Sequence, residues 1–119
     1  MTIVIGGCRN FNDRSVVFQC LDEYLKLYKN TSEIIFLSGH CSGVDLLAEE
    51  YAKQYHYKLK IFPAEWGKYG RAAGSIRNKT MVEKSDVVIA FWDGKSRGTK
   101  NLIELAKKSK CPLYIHWIK

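Results

Sequence analysis

The sequence predicts a single α/β domain with a parallel sheet between two layers of helices, and three observations support this. Short β-rich runs alternate along the whole chain with amphipathic stretches, the pattern of repeated strand–helix–strand units. The 119 residues fit one domain and offer no linker, repeat or low-complexity stretch, so residues 1–119 form one predicted unit. Hydrophobic residues make up 46% and charged residues 26%, which excludes a disordered or collagen-like chain.

The first half of the chain supplies three strands and two helices. An apolar run at Thr2–Ile5 ends at a pair of glycines and is typical of a buried strand. Apolar residues on one helical face predict a helix at Arg14–Tyr28, and an apolar run predicts a strand at Glu33–Leu37. Val44–Tyr55 is the clearest helix because its apolar residues recur every three and four positions. Lys58–Phe62 is a third strand, which a proline ends.

The second half supplies two strands and two helices after a loop. Residues 64–74 are rich in glycine and aromatic side chains and predict a long loop before a helix from about Ser75 to Lys84. Asp86–Phe91 is continuously apolar, as central parallel strands are. A helix at Gly98–Lys108 and a strand at Pro112–Trp117 complete the chain. Right-handed crossovers then give a three-layer Rossmann-like sandwich, for which we expect the strand order 3-2-1-4-5.

The charge of the chain is uneven. The formal net charge is +7, and residues 61–119 carry all of it, with twelve basic and five acidic residues against seven of each in residues 1–60. A basic half is compatible with nucleic acid and equally with a small ligand that bears phosphate. Charge alone does not choose between these two kinds of partner.

No targeting segment, membrane span or metal motif is evident in the sequence. The N-terminus lacks a basic n-region, and no apolar run reaches the roughly 20 residues of a transmembrane helix. The cysteines have neither CxxC nor zinc-ribbon spacing, so we expect reduced thiols, no bound metal and no required cofactor in a cytoplasmic protein. They are Cys8, Cys20, Cys41 and Cys111.

Three polar loops follow strands whose carboxyl ends meet at one edge of the predicted sheet. They read GGCR at 6–9, SGHCSGVD at 38–45 and DGKSRGT at 93–99. Open parallel sheets bind ligands at this edge, and glycines and helix N-termini let backbone N–H groups approach a phosphate closely. The sequence therefore predicts a phosphate-binding site there.

Four segments of the chain resemble the YspA-type branch of the SLOG superfamily: they read GGCRNF, SGHCSGVDLLAEEYA, FPAEWGKYGRAAGSIRN and DVVIAFWDGKSRGTKNLIELA. That superfamily contains Rossmann-like nucleotide-binding domains and is named for the DNA-processing Smf proteins and the LOG phosphoribohydrolases. The resemblance covers nearly the whole chain. It implies a domain that senses or sequesters a nucleotide-derived ligand such as ADP-ribose, NAD or a nucleoside monophosphate, and it implies a homo-oligomer.

The resemblance and the loop positions together define the expected ligand-binding residues. They are Gly6, Gly7, Arg9, Ser38, Gly39, Gly43, Asp45, Trp66, Arg77, Asn78, Asp93, Gly94, Gly98 and Thr99. Trp66 and Trp92 could stack on a base or form a wall of the pocket. If Arg77 and Thr99 point into a solvent-filled cleft, neither should contribute much to folding stability.

Two other classes of function stay open. The LOG enzymes resemble this chain at Arg77, Met81 and Gly98-Thr99, but carry glutamates within three residues of the Gly-Thr pair, where this chain has Lys100, Asn101 and Leu102. Hydrolysis of an N-glycosidic bond needs a carboxylate near the sugar. A nucleotide N-glycosidase would therefore have to use Glu65 or Asp45, the catalytic candidates. The third class is a nucleic-acid-binding module that uses the basic second half.

Overall fold

The computed structural model describes residues 1–28 and 33–118 of the chain. Its elements in chain order are β1 (Thr2–Gly7), α1 (Arg14–Lys26), β2 (Ile35–Ser38), α2 (Val44–Gln54), β3 (Lys58–Ile61), α3 (Trp66–Tyr69), a 3-10 turn (Gly70–Ala72), α4 (Ala73–Lys84), β4 (Val87–Trp92), α5 (Arg97–Lys108) and β5 (Leu113–Trp117). All pairs of neighbouring strands are parallel, and the order β3-β2-β1-β4-β5 confirms the predicted fold and strand order.

β1 lies at the centre of the sheet and determines where the chain changes direction. It pairs with β2 through Ile3 and Phe36, and with β4 through Ile5 and Ile89. The chain builds outward to β3 on one side of β1 and then returns to add β4 and β5 on the other. The carboxyl ends of β1 and β4 therefore flank the topological switch point, where doubly wound sheets bind ligands.

Alternate residues of β1 face two separate hydrophobic layers. Ile3 and Ile5 belong to a core that is completed by side chains of α1 and α2, whereas Val4 belongs to a core completed by α4 and α5. Parallel strands buried on both faces explain the uninterrupted apolar runs in the sequence. Packing on both faces fixes the carboxyl ends of the strands, from which the loops of this edge extend.

The predicted loop at 64–74 is wrong in part. The structure has the short helix α3 and the 3-10 turn in this segment, and α4 begins at Ala73, before the predicted Ser75. The backbone N–H groups of Lys68 and Tyr69 both bond to the carbonyl oxygen of Glu65 at 3.0 Å. Glycine lowers the local helix propensity, so the sequence alone favoured a loop.

The other predicted boundaries agree with the structure within two residues. β1 continues through Gly6 and Gly7, which we expected to end it. Gly7 lies so close to the backbone of β4 that a Cβ there would be 2.7 Å from the carbonyl oxygen of Phe91. The glycine therefore permits close strand packing rather than a turn. In the described ranges no helix is long and apolar enough to cross a membrane.

Candidate functional site

A cavity of about 530 Å³ opens at the carboxyl edge of the sheet, beside the end of β1. It is lined by β1, by the loop and first turn that begin α2, by α3, the 3-10 turn and α4, and by the first residues of α5. This volume is typical of sites for small molecules. We call it the cleft.

Nine of the expected ligand-binding residues line the cleft. They are Gly6, Gly7, Arg9, Asp45, Trp66, Arg77, Asn78, Gly98 and Thr99. They come from elements that are distant in sequence, and the return of the chain to β4 brings them together. The fold therefore assembles the predicted loops into one concave surface.

Three residues at the end of β2 and in the loop after it, which we expected to contact ligand, do not line the cleft but shape this loop. Ser38 is buried, donates a hydrogen bond to the Glu49 carboxylate at 2.8 Å and accepts one from the backbone N–H of His40 at 3.1 Å. Gly39 is covered by the Arg77 guanidinium. Gly43 has φ +78°, and a Cβ there would be 2.4 Å from the carbonyl oxygen of Cys8, so only glycine suits this position before α2.

The two expected residues after β4, Asp93 and Gly94, also lie outside the cleft. The Asp93 carboxylate accepts hydrogen bonds from the backbone N–H groups of Lys95 and Ser96, both at 2.8 Å, and these bonds lower the pKa of Asp93. Gly94 has φ +83° in the same turn. This turn directs the chain from β4 into α5, so Asp93 places the first residues of α5 at the cleft without lining it.

Arg77 connects α4 to the carboxyl ends of β2 and β3. Its Nη1 donates to the carbonyl oxygens of Gly39 at 2.7 Å and Phe62 at 3.3 Å, and its Nε donates to the Asn78 side chain at 2.9 Å. The condition under which Arg77 should contribute little to stability, a side chain free in solvent, is therefore not met. Thr99 is only 3% exposed, and its hydroxyl lies 3.3 Å from that of Ser96, so it too is packed rather than solvated.

Asp45 places a buried carboxylate at the inner end of the cleft. It is 6% exposed, and its Oδ2 accepts a hydrogen bond from the backbone N–H of Cys41 at 3.2 Å. Burial raises the pKa of Asp45 to about 6, although the bond from Cys41 and the nearby Arg77 guanidinium act in the opposite direction. Asp45 can therefore exchange a proton near neutral pH.

A side-chain amide network joins the two helices that border the cleft. The buried Asn78 of α4 donates from Nδ2 to the Asn101 side chain at 3.0 Å and to the carbonyl oxygen of Gly98 at 3.4 Å. Asn101 in turn donates to the Ser75 hydroxyl at 3.2 Å. The network fixes the start of α5 relative to α4, and with it the spacing across the cleft.

Three further arginines line the cleft, and they make it strongly basic. Arg9 follows β1, Arg71 lies in the 3-10 turn and Arg97 is the first residue of α5. None of them forms an ion pair in residues 1–28 and 33–118. The first turn of α5 contains no acidic residue, so the partial positive charge of its N-terminus adds to theirs. The arrangement suits a phosphate-bearing ligand.

Of the two candidate tryptophans and the two candidate carboxylates, one of each lines the cleft. Trp66 lines the cleft and is 51% exposed, so its ring is available to a ligand. Trp92 instead packs on Trp117, with ring centroids 5.2 Å apart, and donates from Nε1 to the carbonyl oxygen of Ser96. Glu65 precedes α3 outside the cleft lining, which leaves Asp45 as the carboxylate found there.

Sequence reasoning missed several residues that line the cleft. They are Arg71, Gly74, Ser75, Ser96 and Arg97, together with Cys41, Met81, Asn101 and Leu102, which we considered in other contexts. Helical spacing could have found some of them. Met81 follows Arg77 by four positions, and Asn101 follows Gly98 by three, so each pair shares a helix face. Arg71 gave no such signal, because its place depends on the fold of the segment between β3 and α4.

The fold and the cleft define the class of this protein: a Rossmann-like domain with a basic cleft at the switch point. The chain belongs to the YAcAr family, described as the YspA, cpYpsA-related SLOG family, whose model matches residues 1–69. This finding confirms the resemblance that the motifs indicated.

Two similar proteins come from phage and prophage genomes. The chain is 28% identical over 117 residues to the Gene 61 protein of Mycobacterium phage D29, and the match covers 93% of this chain and 92% of that protein. It is 33% identical over 52 residues to the uncharacterized SPbeta prophage-derived protein YoqJ of Bacillus subtilis (strain 168), covering 44% of this chain and 30% of that one.

A solved structure shares the fold. It is the structure of DNA processing protein A from Helicobacter pylori, which gives insight into how that protein binds single-stranded DNA. The TM-score is 0.66 at 23% sequence identity, and the match covers 97% of this chain but only 64% of the other. At this identity the likeness shows a common fold.

Proposed function

We propose that this protein binds a nucleotide-derived ligand in the cleft, as a sensing or sequestering domain. Candidate ligands are ADP-ribose, NAD and nucleoside monophosphates. The observation that carries the proposal is the convergence of the α5 N-terminus with the guanidinium groups of Arg9, Arg71, Arg77 and Arg97 on one cavity of about 530 Å³. Basic groups and backbone N–H donors at a switch point are what phosphate recognition requires.

The remaining lining supports a ligand with a base and a sugar. Trp66 offers an exposed ring on which a base can stack. The Asp45 carboxylate offers acceptors to sugar hydroxyls at the inner end, as an acidic residue does in many dinucleotide-binding folds. Phosphate near the arginines, sugar near Asp45 and base near Trp66 would together fill the cleft.

Calorimetric titration with AMP, ADP-ribose and NAD tests this proposal, alongside native mass spectrometry of freshly purified protein for co-purified ligand and subunit number. Arg97→Ala should weaken binding of ADP-ribose and NAD roughly tenfold or more, because a charge-assisted contact contributes about 1.5–3 kcal/mol. Lys107→Ala is the matched control: it removes the same charge near the other end of α5, outside the cleft. The proposal fails if none of the three ligands binds at millimolar concentration.

The structural likeness to DNA processing protein A favours a second candidate, binding of single-stranded nucleic acid. The basic half of the chain is compatible with it. Fluorescence anisotropy with a labelled oligothymidylate at increasing salt tests this candidate. Phosphate contacts predict a steep linear fall of log affinity with log salt, and no binding at low salt would exclude the candidate.

The buried Asp45 also keeps a hydrolase among the candidates. It is the carboxylate that lines the cleft, and a pKa near 6 suits a group that exchanges protons at neutral pH. Incubation of the protein with nucleoside monophosphates and NAD, followed by chromatography for free base, distinguishes hydrolysis from binding. Steady release of base that Asp45→Asn abolishes would make the protein an N-glycosidase.

A further inference from the structure

The cleft contains more phosphate-binding capacity than one phosphate group can use. Arg9, Arg71 and Arg97 belong to three separate elements, and in the described ranges none is paired with a carboxylate. Each guanidinium presents a planar fork that can hold two oxygens at once. Arg77 differs from them, because its Nη1 is already bonded to the Gly39 and Phe62 carbonyl oxygens.

The start of α5 adds backbone donors to the same region. α5 has 12 residues, and its preceding residue, Ser96, makes no side-chain capping bond to the helix. Its first turn therefore has N–H groups that the Ser96 side chain does not satisfy. Apart from its chain neighbours and the backbone of its own helix, no atom of the described residues lies within 4 Å of where a Cβ on Gly98 would stand, so a ligand can approach the backbone there.

At the inner end of the cleft, a carboxylate lies beside the Arg77 guanidinium. The buried Asp45 carboxylate lies there, close to Gly6 and Gly39. Asp45 and Arg77 partly compensate each other, whereas Arg71, Arg97 and the start of α5 have no carboxylate partner in the described ranges, so we expect phosphate groups to bind at the latter three. Arg71 and Arg97 supply two guanidinium forks and α5 supplies a helix N-terminus, and Arg9, which follows β1, supplies a third fork to the same cleft.

We propose that the cleft recognises two linked phosphates, as in a nucleoside diphosphate or a diphosphate-bridged dinucleotide, in preference to a nucleoside monophosphate. The proposal rests on the ligand-binding function proposed above. A terminal monophosphate has three free oxygens, fewer than three arginine forks and a helix N-terminus can bind together. A diphosphate has four or five, spread over two phosphorus centres, and so can engage guanidinium groups from more than one element of the cleft.

A titration series on the unmodified protein tests this inference: AMP, ADP and ADP-ribose, measured by calorimetry at one salt concentration. We expect ADP and ADP-ribose each to bind at least tenfold more tightly than AMP. A preference below tenfold for either ligand overturns the inference while leaving the proposed function standing. Absence of binding by all three overturns both.

Single variants identify which arginines contact the second phosphate. Arg71→Ala and Arg97→Ala should each reduce the ratio of ADP affinity to AMP affinity by about tenfold, because the lost fork serves the phosphate that AMP lacks. Lys107→Ala should leave the ratio unchanged. Because Arg71 and Arg97 are exposed, the melting temperatures of the two alanine variants should match that of the parent protein. An unchanged ratio in both arginine variants would contradict the assignment.

Discussion

The Nη1 atom of Arg77 lies 2.7 Å from the carbonyl oxygen of Gly39 and donates a hydrogen bond to it across 38 positions of sequence. The contact is possible only because residue 39 has no side chain: a Cβ there would be 2.5 Å from Nη1. An arginine expected to serve a ligand therefore also joins α4 to the end of β2. Its charge borders the cleft and its hydrogen bonds stabilise the loop beside it.

This pair predicts a strong coupling between two substitutions. Gly39→Ala should lower the free energy of unfolding by about 1–3 kcal/mol, because the new methyl group displaces the guanidinium. Arg77→Ala should lower it by about 1.5–3 kcal/mol through the loss of charge-assisted bonds. In the Arg77→Ala background, Gly39→Ala should lower the free energy of unfolding much less than it does in the parent protein, because the guanidinium that the methyl group would meet is absent. Urea denaturation of all four proteins measures the coupling, and simple additivity would contradict it.

The two glycines at the end of β1 should respond differently to alanine. At Gly7 the added methyl would lie 2.7 Å from the Phe91 carbonyl oxygen, and a backbone atom of a central strand cannot move aside easily. At Gly6 it would meet the flexible end of Leu102 at 2.8 Å. We expect Gly7→Ala to destabilise the protein by about 1–3 kcal/mol and Gly6→Ala by roughly 1 kcal/mol or less. Thermal melts compare them, and equal losses would be inconsistent with this packing.

Gly98→Ala separates ligand contact from folding. The new methyl group meets no atom of the described residues within 4 Å beyond its chain neighbours and the backbone of its own helix, and alanine favours a helix over glycine by about 1 kcal/mol. The melting temperature should therefore stay the same or rise. If a phosphate binds at the α5 N-terminus, affinity for ADP-ribose should nevertheless fall several-fold, because the methyl group takes the space beside the backbone N–H groups. Calorimetry gives the affinity, and an unchanged value would place the ligand elsewhere.

Asp45 should make stability depend on pH in a defined direction. Burial raises its pKa to about 6 from the ordinary 3.8, so the folded protein holds this proton more tightly than the unfolded chain does. The contribution of Asp45 to the free energy of unfolding should fall as pH rises from about 4 to about 6, by about 3 kcal/mol, and level off above that. Asp45→Asn should remove this slope.

The free energy of unfolding must be measured for the parent protein and for Asp45→Asn over the same pH range. Asp93 has a lowered pKa and contributes in the opposite sense at acidic pH, so the parent curve alone is a composite. The difference between parent and Asp45→Asn in denaturant titrations isolates the carboxylate. A difference that does not change between pH 4 and pH 7 would mean that Asp45 is not perturbed by burial.

Periodicity and composition determined the architecture of this protein without any knowledge of contacts. The apolar spacing of Val44–Tyr55 and the continuous apolar run of Asp86–Phe91 specify a helix and a central strand because a buried face must repeat with the period of its element. The strand order followed because right-handed crossovers leave few arrangements. The same reasoning placed the glycine-rich loops at one edge of the sheet.

Only the tertiary structure decided which residues of those loops line the cleft. Gly94 and Gly98 both belong to the DGKSRGT segment, yet Gly98, in the first turn of α5, borders the cleft, whereas Gly94 forms a turn held by Asp93. Arg71 reaches the cleft because Trp66–Ala72 folds into a short helix and turn, which local propensity does not favour. Backbone direction in loops is set by packing against distant elements. Such contacts join residues far apart in sequence, and no local pattern records them.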